Sequence, residues 1–150
     1  MRGTLLLLAA LALASPAHAF AAERANVEFL NSGKPLPTNP PFSEAVRVGN
    51  TLYLSGQIGI DSGSMKLVEG GIKAEARQAM TNIKATLEAH GYAMTDIVKC
   101  TVMLADMSEW GSLNEVYKTF FPGRYPARSA FGTTGLALGA RVEIECMAAK

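Results

Sequence analysis

Near its C-terminus the chain runs Arg141-Val142-Glu143-Ile144-Glu145-Cys146, a strict alternation of charged and apolar residues. Successive side chains on a strand point to opposite faces, so a period of two makes one face apolar and the other charged. The stretch predicts a half-buried strand over 141–148, with Val142, Ile144 and Cys146 facing inward. A second apolar run predicts a strand over 96–104, where Val98, Cys100 and Val102 alternate with Lys99, Thr101 and Met103. A sheet that is apolar on one side needs a second layer to cover it.

The covering layer is legible upstream and between these strands. Ile72, Ala76, Ala79, Met80, Ile83 and Leu87 recur at helical spacing and predict a helix over 72–89, with Gly91 as its stop. Leu113, Val116, Tyr117 and Phe120 predict a second helix over 108–121, ended by Pro122-Gly123. Residues 43–48 and 51–55 read as a hairpin joined by Gly49-Asn50. Ser55-Gly56-Gln57-Ile58-Gly59-Ile60 continues or bends its second strand, and the glycines suit a bulge or a close backbone approach. A short edge strand is expected over 27–30 and another strand over 127–131. Prolines and Gly33 mark turns in the otherwise irregular residues 20–41. The fold class is α+β, a mainly antiparallel sheet with two helices on one face. Its open face mixes apolar and charged groups, which predicts a further subunit there.

Residues 1–19 have the form of a secretory leader. Arg2 supplies the positive start, 4–14 an uncharged Leu/Ala run, and Ala17-His18-Ala19 a small-x-small cleavage site. The apolar run is short for crossing about 30 Å of hydrocarbon. Cleavage after Ala19 is expected, with Ala21 or Ala22 as alternatives, leaving one domain over 20–150 that is periplasmic or secreted and free of the membrane. Of fourteen Lys and Arg residues only Arg2 lies in the leader, so thirteen face thirteen Asp and Glu in the mature chain. A near-zero charge speaks against nucleic acid as a partner, because phosphate binding needs a positive surface.

His90 is the single histidine outside the leader. That removes most Ser-His and Cys-His triads and most histidine-ligated metal sites, and no metal is expected. His90 reads as a residue at a helix C-terminus, where the dipole favours it. Cys100 and Cys146 read as two buried free thiols. A disulfide between them is permitted outside a reducing cytoplasm, but spacing along the chain does not tell whether their Cα atoms are close enough.

The chemistry concentrates near the C-terminus. Arg128, in Tyr125-Pro126-Ala127-Arg128-Ser129, follows a proline that favours extended backbone. A strand-held guanidinium offers a rigid fork for a carboxylate. It suits either a clamp for a small carboxylate ligand or an intersubunit salt bridge to Glu143 or Glu145. Glu143 and Glu145 share a strand face. If another subunit covers that face, burial raises a carboxyl pKa and suits acid–base work on water; otherwise they form a solvated face paired with Arg141. Ser55-Gly56 offers a hydroxyl and an approachable backbone, with no base nearby to activate the serine. Phe42, Trp110, Tyr117 and Tyr125 are candidates for an apolar wall, and Asn114 shares a helix with Tyr117.

Taken together, these motifs resemble the RidA/YjgF/UK114 family of reactive-intermediate deaminases. The resemblance covers about residues 38–149. It rests on Gly49-Asn50-Thr51-Leu52-Tyr53-Leu54-Ser55-Gly56-Gln57-Ile58, Ala76-Arg77-Gln78, Asn82-Ile83-Lys84, Asp96-Ile97-Val98-Lys99, Leu113-Asn114-Glu115-Val116-Tyr117, Phe121, Tyr125-Pro126-Ala127-Arg128-Ser129 and Val142-Glu143-Ile144-Glu145. It implies a chorismate-mutase-like fold and a homotrimer whose sheets build a central barrel, with ligand clefts between subunits. It implies hydrolysis of 2-imino acids (2-iminopropanoate, 2-iminobutanoate) to 2-oxo acids and ammonia, without a cofactor. In that scheme Arg128 holds the substrate carboxylate and Glu143 positions water. Phe42, Ser55, Gly56, Asn114 and Tyr117 line the cleft, and the backbone around Ala127 holds the nitrogen or water. Two departures stand out. Phe42 replaces a cleft tyrosine and lacks its hydroxyl, and Ala130 stands where other members often carry cysteine. The segment between Phe121 and Tyr125 is also shorter. The rival reading is a non-enzymatic trimeric protein that binds small carboxylates or acts as a chaperone.

Overall fold

The computed structural model describes residues 24–33 and 40–150; the expected leader and the Lys34–Pro37 turn lie outside them. Strands β1 (Val27–Leu30), β2 (Ala45–Val48), β3 (Thr51–Leu54) and β4 (Gln57–Ile58) come first. A small pair, β5 (Ile60–Asp61) and β6 (Lys66–Leu67), leads into helix α1 (Gly71–Ala89). Then follow β7 (Ile97–Leu104), α2 (Trp110–Tyr117), β8 (Ala127–Gly132) and β9 (Val142–Ala149). The main sheet runs β1-β2-β3-β9-β7-β8, with β4 also on β9. The expected second helix is shorter, since single 3₁₀ turns at Met107–Glu109 and Lys118–Phe120 flank eight α-helical residues.

The α+β class with both helices on one sheet face holds. One pairing is not antiparallel: β7 and β8 run parallel. The crossover between them contains α2, and a parallel return requires a connection of that length. The buried face carries Val142, Ile144, Val102, Leu104, Leu52 and Ala148, all fully enclosed beneath α1 and α2. Each large apolar side chain buried here contributes about 2 kcal/mol.

Two expectations on β7 need correction. Its alternation was expected to carry Val98 inward with Cys100 and Val102. A bulge between Ile97 and Lys99 instead inserts one residue, so Ile97 is buried and Val98 stands out in solvent. A bulge resets the alternation at that point. Secondly, Cys100 and Cys146 are not free thiols. They lie directly opposite in the β7–β9 register, with Cα atoms 4.1 Å apart, and form a disulfide. Pairing register brought together residues that are 46 apart in sequence.

The strand after the hairpin also bends as the glycines suggested. Tyr53 pairs with Met147, but Gln57 pairs with Ile144, so the register on β9 slips by one residue across Leu54–Gly56. The bent segment is tied to α1. Asn82 Nδ2 donates to the carbonyls of Ile58 (3.3 Å) and Ile60 (2.9 Å). At Gly59 a Cβ would lie 2.6 Å from Glu75 Cα, so only glycine lets the helix seat this closely.

Candidate functional site

The bulge after β3 delivers Gly56 against the carboxylate of Glu143. A Cβ on Gly56 would lie 2.0 Å from Glu143 Oε1. Glu143 sits on β9 opposite Ile58 of β4 and Met103 of β7, on the sheet face away from the helices. Partial burial, and after it the neighbouring Glu145 carboxylate, raises the Glu143 carboxyl above the ordinary glutamate value. Burial disfavours the charged form, and a like charge adds to the effect. Ser55 is committed to structure: its Oγ donates to the Ser43 carbonyl (2.7 Å) and its N–H to the Glu44 carbonyl (3.0 Å). These bonds tie Ser55 and Gly56 to the segment carrying Phe42, whose ring is half exposed.

Arg128 belongs to a second cluster. Its register partner on β7 is Cys100, so it stands on the helix face of the edge strand. There its guanidinium lies 4.7 Å from the ring centroid of Tyr117 on α2, a cation–π contact. Tyr117 is buried and continues into a row of rings with Phe121 (4.9 Å) and Tyr125 (6.5 Å). Burial pushes the Tyr117 phenol up to about 12, against an opposing pull from Arg128. Its hydroxyl has no hydrogen-bond partner among the described residues. Asn114 lies one helical turn before Tyr117 and is partly buried. Ala127 borders a groove of about 760 Å³ with Val98, Phe121, Arg124 and Tyr125, which includes neither Arg128 nor Glu143. Trp110 is also half exposed.

The chain therefore does not bring Arg128 and Glu143 together. They occupy opposite faces of the sheet, two strands apart, with registers offset by three residues on β7. That places them about 10 Å apart along the strands and about 10 Å across them. Among the described residues Arg128 forms no ion pair with Glu143 or Glu145. Arg141 does not pair with them either; its Nη1 lies 2.6 Å from Glu109 Oε1. Its backbone N–H meets the buried Glu75 carboxylate at 2.8 Å.

The open face is apolar as well as acidic. One register row across the sheet reads Phe29, Val46, Tyr53, Met147, Lys99 and Ala127. The row through Glu143 reads Ile58, Glu143, Met103 and Phe131. Phe29 is 73% exposed, and Tyr53 and Phe131 are nearly half exposed. Apolar area of this kind on a sheet face is a mark of an interaction surface. Among the described residues no group of three or more His, Cys, Asp or Glu is placed to hold a metal ion.

Residues 33–150 match the sequence profile of a family described as Endoribonuclease L-PSP. The chain is 49% identical over 108 residues to a 2-iminobutanoate/2-iminopropanoate deaminase of Mus musculus, covering 72% of this chain and 80% of the relative. The deaminase of the same description from Dermatophagoides farinae is 47% identical over 113 residues, covering 74% of this chain and 88% of the relative. Among solved structures, RidA from an Antarctic Psychrobacter superposes with a TM-score of 0.75 at 42% identity, covering 81% of this chain and 98% of that one. Yeast Mmf1 superposes with a TM-score of 0.78 at 32% identity, covering 83% and 99%.

Proposed function

Since the chain belongs to the Endoribonuclease L-PSP family, which includes the RidA/YjgF/UK114 proteins, we propose that it hydrolyses 2-imino acids to 2-oxo acids and ammonia. The observation that carries this reading is the 49% identity, over 72% of this chain and 80% of the relative, to a protein described as 2-iminobutanoate/2-iminopropanoate deaminase. The half-buried Glu143 carboxyl against Gly56, and the Arg128 guanidinium braced by Tyr117, supply the two groups such a reaction needs.

Arg128 holds the substrate carboxylate through its planar fork. Glu143, in its ionised form, takes a proton from water as the water oxygen bonds to the iminium carbon. That proton passes to the nitrogen, and as the C–N bond breaks the hydroxyl proton returns to Glu143 while the C=O bond forms, so ammonia leaves and a 2-oxo acid remains. Orientation and modest acid–base help suffice for an electrophilic iminium carbon. Phe42, Ser55 and Gly56 form the wall on the Glu143 side; Tyr117, Asn114 and the Ala127 backbone form the wall on the Arg128 side. Neither a metal nor an organic cofactor enters this scheme.

Separation of the two walls within one chain supports a site completed between copies. The exposed Phe29, Tyr53 and Phe131 support burial of the open face in the same assembly, a homotrimer with three intersubunit clefts. The buried Cys100–Cys146 disulfide supports an exported protein, since such bonds persist in oxidising compartments. The family description names an endoribonuclease, but the near-zero mature charge argues against nucleic acid as the partner.

The test is Glu143→Gln on the mature protein. An amino-acid oxidase generates imines in the presence of semicarbazide, and the trapped semicarbazone is followed. Wild type is expected to suppress trapping of small aliphatic imines. The variant is expected to lose turnover while retaining 2-oxo acid binding. Retained turnover removes Glu143 from the mechanism. No turnover by an intact wild-type trimer moves the reading to a carboxylate-binding protein.

A further inference from the structure

A buried polar cluster beside the C-terminus of α1 contains none of the groups placed in the reaction above. Glu44 is 4% exposed. Its Oε2 accepts from both the backbone N–H and the Oγ of Ser32, each at 2.7 Å. Its own N–H donates to Asn31 Oδ1 at 2.9 Å. The segment before β2 is thus tied to the segment after β1. A third element closes on the same oxygen. His90, the residue that ends α1, places Nε2 3.8 Å from Glu44 Oε2, with a side chain only 10% exposed. That nitrogen has no hydrogen-bond partner among the described residues.

Glu44 is also the residue that holds the cleft wall. Its carbonyl accepts the Ser55 N–H, and the carbonyl of Ser43 accepts the Ser55 Oγ. Phe42 comes directly before Ser43 in the chain. A shift of the Glu44 side chain is therefore carried to Ser55 through the Glu44 carbonyl and, through two peptide units, to Phe42. An unpaired buried ring nitrogen beside a carboxylate is a costly arrangement. Adding a proton to the imidazole converts it to a charge-assisted contact.

We propose that Glu44 and His90 are positioning residues, forming an acid–imidazole latch that fixes the Phe42–Glu44 segment against Ser55 and tightens when His90 is protonated. The latch rests on the reading above only in taking Phe42 and Ser55 as the cleft wall. The other charged groups around it are engaged elsewhere. Glu88 pairs with Lys84 at 3.8 Å, and Arg47 with Glu28 at 2.6 Å. Lys150 Nζ donates to the Gly91 carbonyl and sits 4.9 Å from the Tyr92 ring centroid. Tyr92 donates its hydroxyl to the Asn50 carbonyl at 3.2 Å. Glu44 is left as the acid that meets His90. The latch is tight where the buried His90 ring carries a proton toward Glu44, and lowering the pH is the means of adding that proton.

The test compares wild type with His90→Gln at pH 5.5 and 7.5. Backbone amide exchange, corrected for intrinsic rates, reads the latch without catalysis. Protection at Ser32 and Ser55 in wild type is expected to be about fivefold higher at the lower pH, the small end of ordinary coupling between sites. In the variant it is expected to be independent of pH. In the imine assay the KM of the variant relative to wild type is expected to be about fivefold at pH 5.5 and near one at pH 7.5, with kcat in the same ratio at both. Equal protection of wild-type Ser55 at the two pH values overturns the latch, and this holds even if the variant does not fold. A KM ratio that does not change with pH overturns the coupling to the cleft. Absence of turnover in wild type, with pH-dependent protection intact, refutes the deaminase reading and leaves the latch standing.

Discussion

Replacing Gly56 by alanine tests the Glu143 assignment without touching a charged group. The added Cβ would lie 2.0 Å from Glu143 Oε1, 2.9 Å from Cδ and 3.1 Å from Cγ. Real contacts of this kind do not fall below 3.0 Å, so the carboxylate must retreat by at least about 1 Å. Gly56 is absent from the positive-φ glycines, so alanine meets no backbone strain there. The atoms that must give way are the far end of a flexible side chain, and the fold is expected to keep its stability within about 0.5 kcal/mol. A misplacement of about 1 Å at a reacting group costs about a hundredfold in rate, or about 2.7 kcal/mol of transition-state stabilisation. In the proposed scheme Arg128 and not Glu143 carries the substrate carboxylate, so the loss should fall on kcat and leave KM nearly unchanged. The assay is semicarbazone competition with oxidase-generated 2-iminopropanoate, with thermal unfolding as the control for folding. Shortening the acid in the same background, as Gly56→Ala with Glu143→Asp, should cost less than the two single losses combined, because both act on one atom position. A folded Gly56→Ala protein with kcat within threefold of wild type would refute the reasoning.

Further expectations follow from the same geometry. Gly59→Ala drives a Cβ into the backbone of α1, 2.6 Å from Glu75 Cα and 2.9 Å from its carbonyl oxygen; it should cost about 1–3 kcal/mol of stability, read as a lower urea midpoint. Glu145→Gln removes the like charge beside Glu143, so the alkaline rise of kcat that reports Glu143 ionisation should move to lower pH but stay above the ordinary glutamate range, because burial is the larger cause. The same raised carboxyl binds its proton more tightly folded than unfolded, so it costs stability as pH rises from the ordinary glutamate value through its folded value; urea midpoints of Glu143→Gln should lack that fall. Replacing both Cys100 and Cys146 by alanine opens a closed loop of 46 residues, which the chain-entropy estimate values at about 4 kcal/mol. The unfolding midpoint should drop accordingly, while kcat at 25 °C is retained.

The sequence by itself determined the elements and the sidedness of the sheet. Alternation at Val142, Glu143, Ile144 and Glu145 set which residues face the core, and the stripe from Ile72 to Leu87 set the helix that covers them. Both signals are local, because a strand or helix imposes its period on neighbouring residues whatever the rest of the chain does. The candidate residues were likewise legible by type and neighbourhood, from Arg128 after Pro126-Ala127 to Gly56 beside Ser55. Long-range register was not. Cys100 and Cys146 became a disulfide because β7 and β9 pair at that step, and nothing in their spacing encodes the step. Val98 turned outward because a bulge resets the alternation, and Arg141 turned to Glu109 across a loop. Glu44 and His90 gave no motif, since their meeting depends on where α1 ends relative to the hairpin. Register and packing also decided that Arg128 and Glu143 stand on opposite faces, with the β8 edge on one cluster and the Gly56 bulge on the other. Local patterns are written by nearest neighbours, whereas the meeting of distant side chains is set by how whole elements pair and pack.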